Sequence, residues 1–179
     1  QRGSSTNPVI FDNCRVPASS ILGDLNDGFR IAIGELAGGR IGIGSLALGV
    51  ATAAMDIARA YTSEREQFGK KISDFQGIQW SLADTYTELE AGRLLLMNAA
   101  YLKETEQPFM KQAAMAKLYT TEAANRACYN ALQLMGGAGY TEEYPLERFA
   151  RDVRVTTIYE GTSEIQRVII GRELLREIA

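Results

Sequence analysis

The chain has 179 residues, of which 46% are hydrophobic and 23% charged, and its formal net charge is −3. This composition is sufficient for one domain with a hydrophobic core, and it excludes a disordered chain. The net acidity and the lack of any run of like charges argue against a nucleic-acid or anionic-membrane partner.

The sequence contains no histidine and two cysteines, Cys14 and Cys128. Without histidine, this segment cannot form a Ser-His-Asp triad, a zinc site of the usual histidine type or a Glu-x-x-His di-iron site. We therefore predict no metal site, and we expect the cysteines to pack as small apolar groups in a reducing compartment. Carboxylates remain as candidates for catalytic chemistry.

The first residue is Gln1 rather than Met, and no charged-then-apolar leader follows it, so we expect a piece of a longer protein. Residues 7–17 are short, rich in β-branched side chains and interrupted by prolines, a pattern typical of an edge strand or connector. We predict that residues 1–24 are the remnant of a preceding β domain and that residues 25–179 form a helical domain.

A first long helix is predicted over residues 27–66, where proline is absent and apolar residues recur at helical spacing. Each of its interior glycines costs about 1 kcal/mol relative to alanine. We therefore expect either close backbone packing or room for a ligand beside the helix, and Gly38 and Gly39 next to Arg40 favour the ligand. The uncharged run between Arg40 and Asp56 is shorter than the roughly 20 residues that a bilayer requires, so no membrane span is predicted.

Two further helices are predicted over residues 75–106 and 109–135, the second with a small-residue face that indicates tight helix contacts. A short amphipathic segment, residues 146–152, precedes a last helix from Ser163 to residue 178, where Ser163 and Gln166 have the spacing of a capping box. Together these elements predict an all-α fold: an up-down four-helix bundle with a short β-type N-terminal remnant.

Glu160 lies on a turn made sharp by Gly161, between an apolar run that ends at Tyr159 and the last helix. In one interpretation it is a solvated acid that favours the positive end of a helix dipole. In the other it is a carboxylate in apolar surroundings that acts as a proton-transferring base. The local pattern alone leaves both open.

Two other segments also have two interpretations. Residues 65–69, Arg-Glu-Gln-Phe-Gly, form either a helix C-terminal turn or a grip for a phosphate and a flat heterocycle. Residues 133–140 carry three glycines after a helix, which does not fit a dinucleotide fingerprint. They form either a cap and loop or a backbone flat enough to lie against a cofactor.

Four segments in the same order resemble the C-terminal part of the acyl-CoA dehydrogenases, the FAD enzymes of fatty-acid and amino-acid breakdown. The segments are residues 39–41, 65–69, 133–137 and 159–162. The resemblance implies that Glu160 is the base that removes the α proton of an acyl thioester while the β carbon gives a hydride to the flavin. It implies acyl-CoA contacts for Gly39, Arg40, Tyr159 and Gly161. It also implies FAD contacts, some of them to a neighbouring subunit's cofactor, for Arg65, Gln67, Phe68, Gln76, Gln133, Gly136, Gly137, Thr162 and Glu164.

The resemblance further implies a homotetrameric full-length enzyme, a dimer or tetramer for this chain alone, and an electron-transferring flavoprotein as electron acceptor. The expected location is the cytoplasm in a bacterium or the mitochondrial matrix in a eukaryote. Some members place the base directly before the arginine, where this chain has Gly39, and many carry an acid where this chain has Ala37.

Residues 2–6 and 39–43 most resemble members that act on short or short branched acyl chains. The alternatives are a non-catalytic oligomerisation bundle, a related acyl-CoA oxidase and a flavin monooxygenase.

Overall fold

The computed structural model describes residues 1–178, which form six α-helices. These are α1 (Gly28–Glu64), α2 (Gln76–Glu104), α3 (Met110–Met135), α4 (Gly137–Tyr140), α5 (Leu146–Arg154) and α6 (Ser163–Arg176). Short 3-10 helices span Ala18–Ser20, Ile72–Asp74 and Val155–Thr157. The only strands in the described part of the chain are β1 (Glu66–Gln67) and β2 (Lys70–Lys71), an antiparallel pair between α1 and α2. The all-α prediction is confirmed.

Side-chain contacts show how the first two helices run. The Tyr86 hydroxyl of α2 donates to Asp56 of α1 at 2.6 Å. Farther along α2, Leu96 lies against Gly44 of α1. Later residues of α2 therefore contact earlier residues of α1, so the two helices are antiparallel.

The third and sixth helices complete the bundle. Thr85 and Glu88 of α2 contact Asn130 and Arg126 of α3, respectively, which makes these two helices antiparallel. The sixth helix packs on α3 from Ser163, which bonds to Glu122, to Glu177, which pairs with Lys111. The predicted up-down arrangement is therefore confirmed, and α1 and α3 end at the same end of the bundle.

Alanines rather than large apolar residues form most of the core. The fully buried alanines are Ala47, Ala51, Ala54 and Ala58 of α1, Ala99 of α2, and Ala113, Ala114, Ala116, Ala124, Ala127 and Ala131 of α3. Between three helices, Thr120 lies so close to Gly44 and Gly92 that a Cβ on either glycine would approach its side chain to 2.9 Å. The small faces let the backbones approach closely, as predicted for α3.

By length and composition, α1 is apolar enough to cross a membrane. Its alanines nevertheless form one wall of the core against α3. We therefore interpret α1 as a core helix of the bundle.

Three local features of the structure differ from what the sequence pattern suggests, although the connector prediction for residues 1–24 is not contradicted. Residues 1–24 form no strand and are exposed, because a strand needs a hydrogen-bonding partner and none lies beside them among residues 1–178. The hairpin of β1 and β2 and the short helix α4 were not predicted. Ile165, Val168 and Leu174 recur at helical spacing in the last helix, yet they are 44–48% exposed.

Candidate active site

The turn at residues 158–162 joins the 3-10 segment Val155–Thr157 to α6 and carries Glu160 next to the half-buried Tyr159. Glu160 and Gly161 are both left-handed, with φ of +54° and +88°. A Cβ on Gly161 would also lie only 2.7 Å from Nε2 of Gln166, so both backbone and space require glycine there. A non-glycine residue held left-handed is a strained feature of the kind that clusters at functional sites.

The start of α6 differs in detail from the predicted capping box. The helix begins at Ser163 as expected, but its N-cap is Thr162, whose side chain accepts the Ile165 N–H at 3.4 Å. The Ser163 hydroxyl donates instead to Glu122 at 2.6 Å. The Gln166 side chain bonds the backbone of the preceding turn, so the predicted capping box is wrong.

The Glu160 carboxylate lies against Gly39 of α1. A Cβ built on Gly39 would be 2.6 Å from Oε2 and 3.1 Å from Cδ of Glu160. Only a residue without a side chain leaves this space, so Gly39 makes room for the acid. Oε2 is buried and has no hydrogen-bond partner among residues 1–178. An unpartnered carboxylate oxygen in such a place is available to accept a proton.

Two buried cations accompany this carboxylate. Arg40 is 5% exposed, and its Nε and Nη1 have no hydrogen-bond partner in the described residues. Burial lowers the pKa of Arg40, and the nearby charge of Glu160 opposes this shift. Lys117 of α3 is fully buried, and burial lowers its pKa to about 8 against the opposing charges of Glu122 and Glu160.

Lys117 was not among the sequence-predicted site residues, although the sequence contains a signal for it. It stands four residues after Ala113 and three before Thr120, on the buried small-residue face of α3. A lysine on a buried helix stripe is rarely found without a partner or a function. The position of Lys117 on this face could be read from the sequence, but the helical pattern did not show which group it contacts.

A polar cleft of about 270 Å³ opens beside the start of α6. Its lining includes the predicted residues Thr162 and Glu164, together with Glu122, Asn125, Arg154 and Thr157. The backbone N–H of Glu164, and then the Thr162 hydroxyl, lower the pKa of the Glu164 carboxyl. The hydroxyl, amide and guanidinium groups of this cleft can bind a polar or anionic ligand.

The remaining predicted cofactor residues lie elsewhere, at the end of the bundle where α1 and α3 end. They are all exposed: Arg65, Gln67, Phe68, Gln76, Gln133, Gly136 and Gly137. The Phe68 ring is 91% exposed on a left-handed residue with φ of +54°. From Gly39 to Arg65, α1 extends about 39 Å at 1.5 Å per residue. The structure thus brings the predicted residues together in two separate groups.

The fold and this site define a helical-bundle domain in which a turn before the last helix places a carboxylate against a glycine of the first. Residues 26–175 match the family model for the acyl-CoA dehydrogenase C-terminal domain. The chain belongs to the acyl-CoA dehydrogenase family.

Individual relatives agree with this assignment. The chain is 52% identical to the human mitochondrial short-chain specific acyl-CoA dehydrogenase, covering 98% of this chain and 42% of that protein. It is 49% identical to the acryloyl-CoA reductase (NADH) of Anaerotignum propionicum, covering 97% of this chain and 44% of that protein. The solved structure of butyryl-CoA dehydrogenase from Megasphaera elsdenii is similar with a TM-score of 0.91 and 44% identity, covering 93% of this chain and 43% of that one. The chain spans less than half the length of these relatives.

Proposed function

We propose that this chain is the helical domain of an FAD-dependent dehydrogenase that forms the α,β double bond of a short or short branched acyl-CoA, with Glu160 as the base. The observation that supports this proposal is the buried, unpartnered Oε2 of Glu160 against Gly39. Similarity to a short-chain specific enzyme and to a butyryl-CoA dehydrogenase supports the short substrate.

In the proposed reaction, the Glu160 carboxylate accepts the α proton, and the electrons of that C–H bond form the new double bond. FAD, when bound, would accept the β hydrogen with its two electrons as hydride. Arg40 carries positive charge beside the site, where charge develops on the thioester. The Glu160 N–H has no backbone hydrogen-bond partner among residues 1–178, so it is free to donate to the thioester carbonyl.

The two groups of predicted cofactor residues each suit part of an FAD molecule. The cleft at Thr162 and Glu164 offers polar groups for the non-aromatic portion. The exposed guanidinium of Arg65 and the ring of Phe68 suit a phosphate and a flat ring system. Because about 39 Å of α1 separates Arg65 from Gly39, Arg65 and Phe68 lie far from the Glu160 site of the same chain.

We therefore propose that a second copy of the chain supplies Arg65 and its neighbours to the site that contains Glu160. This proposal requires a homo-oligomer: a tetramer in the full-length protein and a dimer or tetramer for this chain alone. The exposed apolar side chains of α6 offer surface for such contacts. Residues 1–24 would end the preceding β domain, and an electron-transferring flavoprotein would reoxidise the flavin.

The direct test is Glu160→Gln in the full-length protein, which keeps the size of the side chain and removes the base. We expect FAD to stay bound and anaerobic flavin bleaching by butyryl-CoA to slow by about 10² to 10⁴. Glu104→Gln, an exposed position at the end of α2, is the matched control and should bleach at the wild-type rate. A Glu160→Gln protein that bleaches within about tenfold of wild type would remove Glu160 from the mechanism.

A second candidate reaction is the reverse one, reduction of an enoyl-CoA, which the identity to an acryloyl-CoA reductase favours. Protonated Glu160 would then return a proton to the α carbon. After bleaching by butyryl-CoA, reoxidation by air or only by an electron-transferring flavoprotein distinguishes an oxidase from a dehydrogenase, and anaerobic bleaching by NADH identifies a reductase. The absence of any bleaching by butyryl-CoA would favour a monooxygenase or a non-catalytic bundle.

A further inference from the structure

Two fully buried polar side chains from different helices converge on the turn that carries Glu160. Lys117 of α3 donates from Nζ to the carbonyl of Gly161 at 2.8 Å. Gln166 of α6 donates from Nε2 to the carbonyls of Glu160 and Gly161, at 3.1 and 2.9 Å. Two successive carbonyls thus accept three hydrogen bonds from side chains outside the turn.

The backbone conformation of Glu160 and Gly161 explains why the turn needs these hydrogen bonds. Both are left-handed, and for Glu160, which has a Cβ, that conformation is unfavourable unless its surroundings impose it. A hydrogen bond from an ammonium group is stronger than a neutral one, and low local dielectric strengthens it further. The three bonds hold the backbone whose geometry aims the carboxylate at Gly39.

Stability alone does not account for a lysine in this position. The charged groups around it are Glu122 on its own helix, Glu160 on the turn, Glu164 on α6 and Arg40 on α1. Removing a charge from water is costly, and apolar residues of similar size often serve a core equally well. A buried lysine that reduces stability is expected where it serves the site instead.

We propose that Lys117 is a positioning residue that, together with Gln166, fixes the left-handed Glu160-Gly161 backbone and so the direction of the Glu160 carboxylate. This inference rests on the proposed role of Glu160 as base. It assigns Lys117 no contact with substrate and no proton transfer.

The test compares Lys117→Met with Lys111→Met, a control on the same helix whose side chain pairs with Glu177, the residue that follows α6. In Lys117→Met we expect amide hydrogen exchange at Ile165 and Gln166, in the first turn of α6, to accelerate about 10- to 100-fold, since one charge-assisted hydrogen bond is lost. In the full-length protein, kcat for flavin reduction should fall by about 10²-fold while KM stays within about twofold. Lys117→Arg should recover part of kcat and part of the protection from exchange. Lys111→Met should change neither kcat nor the exchange rates.

If Lys117→Met does not fold, Gln166→Met removes two of the three bonds and should give the same two changes. Exchange and kcat within about threefold of wild type in the folded variants would overturn the positioning role. That result leaves the proposed function intact if Glu160→Gln is inactive. An active Glu160→Gln protein would contradict the proposed function instead, and the exchange rates would still report whether Lys117 holds the turn.

Discussion

Gly39→Ala tests the packing of the Glu160 carboxylate against α1. The new Cβ would stand 2.6 Å from Oε2 of Glu160, whereas ordinary contact begins at 3.4 Å. The carboxylate must therefore retreat by about 0.8 Å, and a misplacement near 1 Å costs about 10²-fold in rate. We expect kcat to fall by about 100-fold. The free energy of unfolding should stay unchanged or rise by up to about 1 kcal/mol, since alanine favours helix over glycine.

Gly42→Ala is the matched control for this substitution. Gly42 is exposed in the same helix, and its added Cβ would meet nothing within 4 Å. It should raise stability by up to about 1 kcal/mol without changing the rate of flavin bleaching. Stopped-flow bleaching and urea unfolding of both variants separate the two effects. If Gly39→Ala bleaches within about threefold of wild type, the Glu160 carboxylate does not need the space beside Gly39. That result would contradict the proposed role of Gly39 in making room for the acid.

Three further predictions concern the cofactor, the buried lysine and assembly. Arg65→Ala should weaken FAD binding by about 1 to 3 kcal/mol, measured by titrating apoprotein, and unchanged affinity would return Arg65 to the role of a helix-end charge. The pKa of Lys117 is about 8 in the fold against an ordinary 10.5, so the unfolded chain binds more protons between these values. The free energy of unfolding should therefore rise by about 3 kcal/mol from below pH 8 to above pH 10.5, a rise that Lys117→Met should lack in urea titrations. This chain alone should be a helical homo-oligomer that binds FAD weakly or not at all; light scattering that finds a monomer, or absorbance that finds about one FAD per chain, would contradict this.

The sequence predicted the helices well, because helical spacing, proline and glycine act locally. It did not show which side of α1 is buried. Ile33 and Leu46, part of its apolar repeat, are 41% and 42% exposed, while Ala47 and Ala51 are fully buried. Burial here follows from how closely the backbones approach, and small residues permit that approach where large ones do not.

The candidate site was only partly accessible from the sequence. The carboxylate of Glu160 and the gap at Gly39 were each identified, but their contact depends on how α6 folds back along α3. Gln166 fitted a capping pattern, yet its amide bonds the preceding turn, because Thr162 already caps the helix. Lys117 stands on the small-residue face of α3, but the helical pattern does not show what it contacts, so its bond to Gly161 was found only in the structure.

The separation of Arg65 from Gly39 along α1 has a genetic consequence. If each site combines Glu160 of one copy with Arg65 of another, a Glu160→Gln chain and an Arg65→Ala chain are defective in different parts of the shared site. In a mixed dimer, one site receives both defects, while the other receives an intact Glu160 and an intact Arg65. Two alleles that are each impaired should therefore complement one another when co-expressed, restoring about half of the sites in every mixed pair.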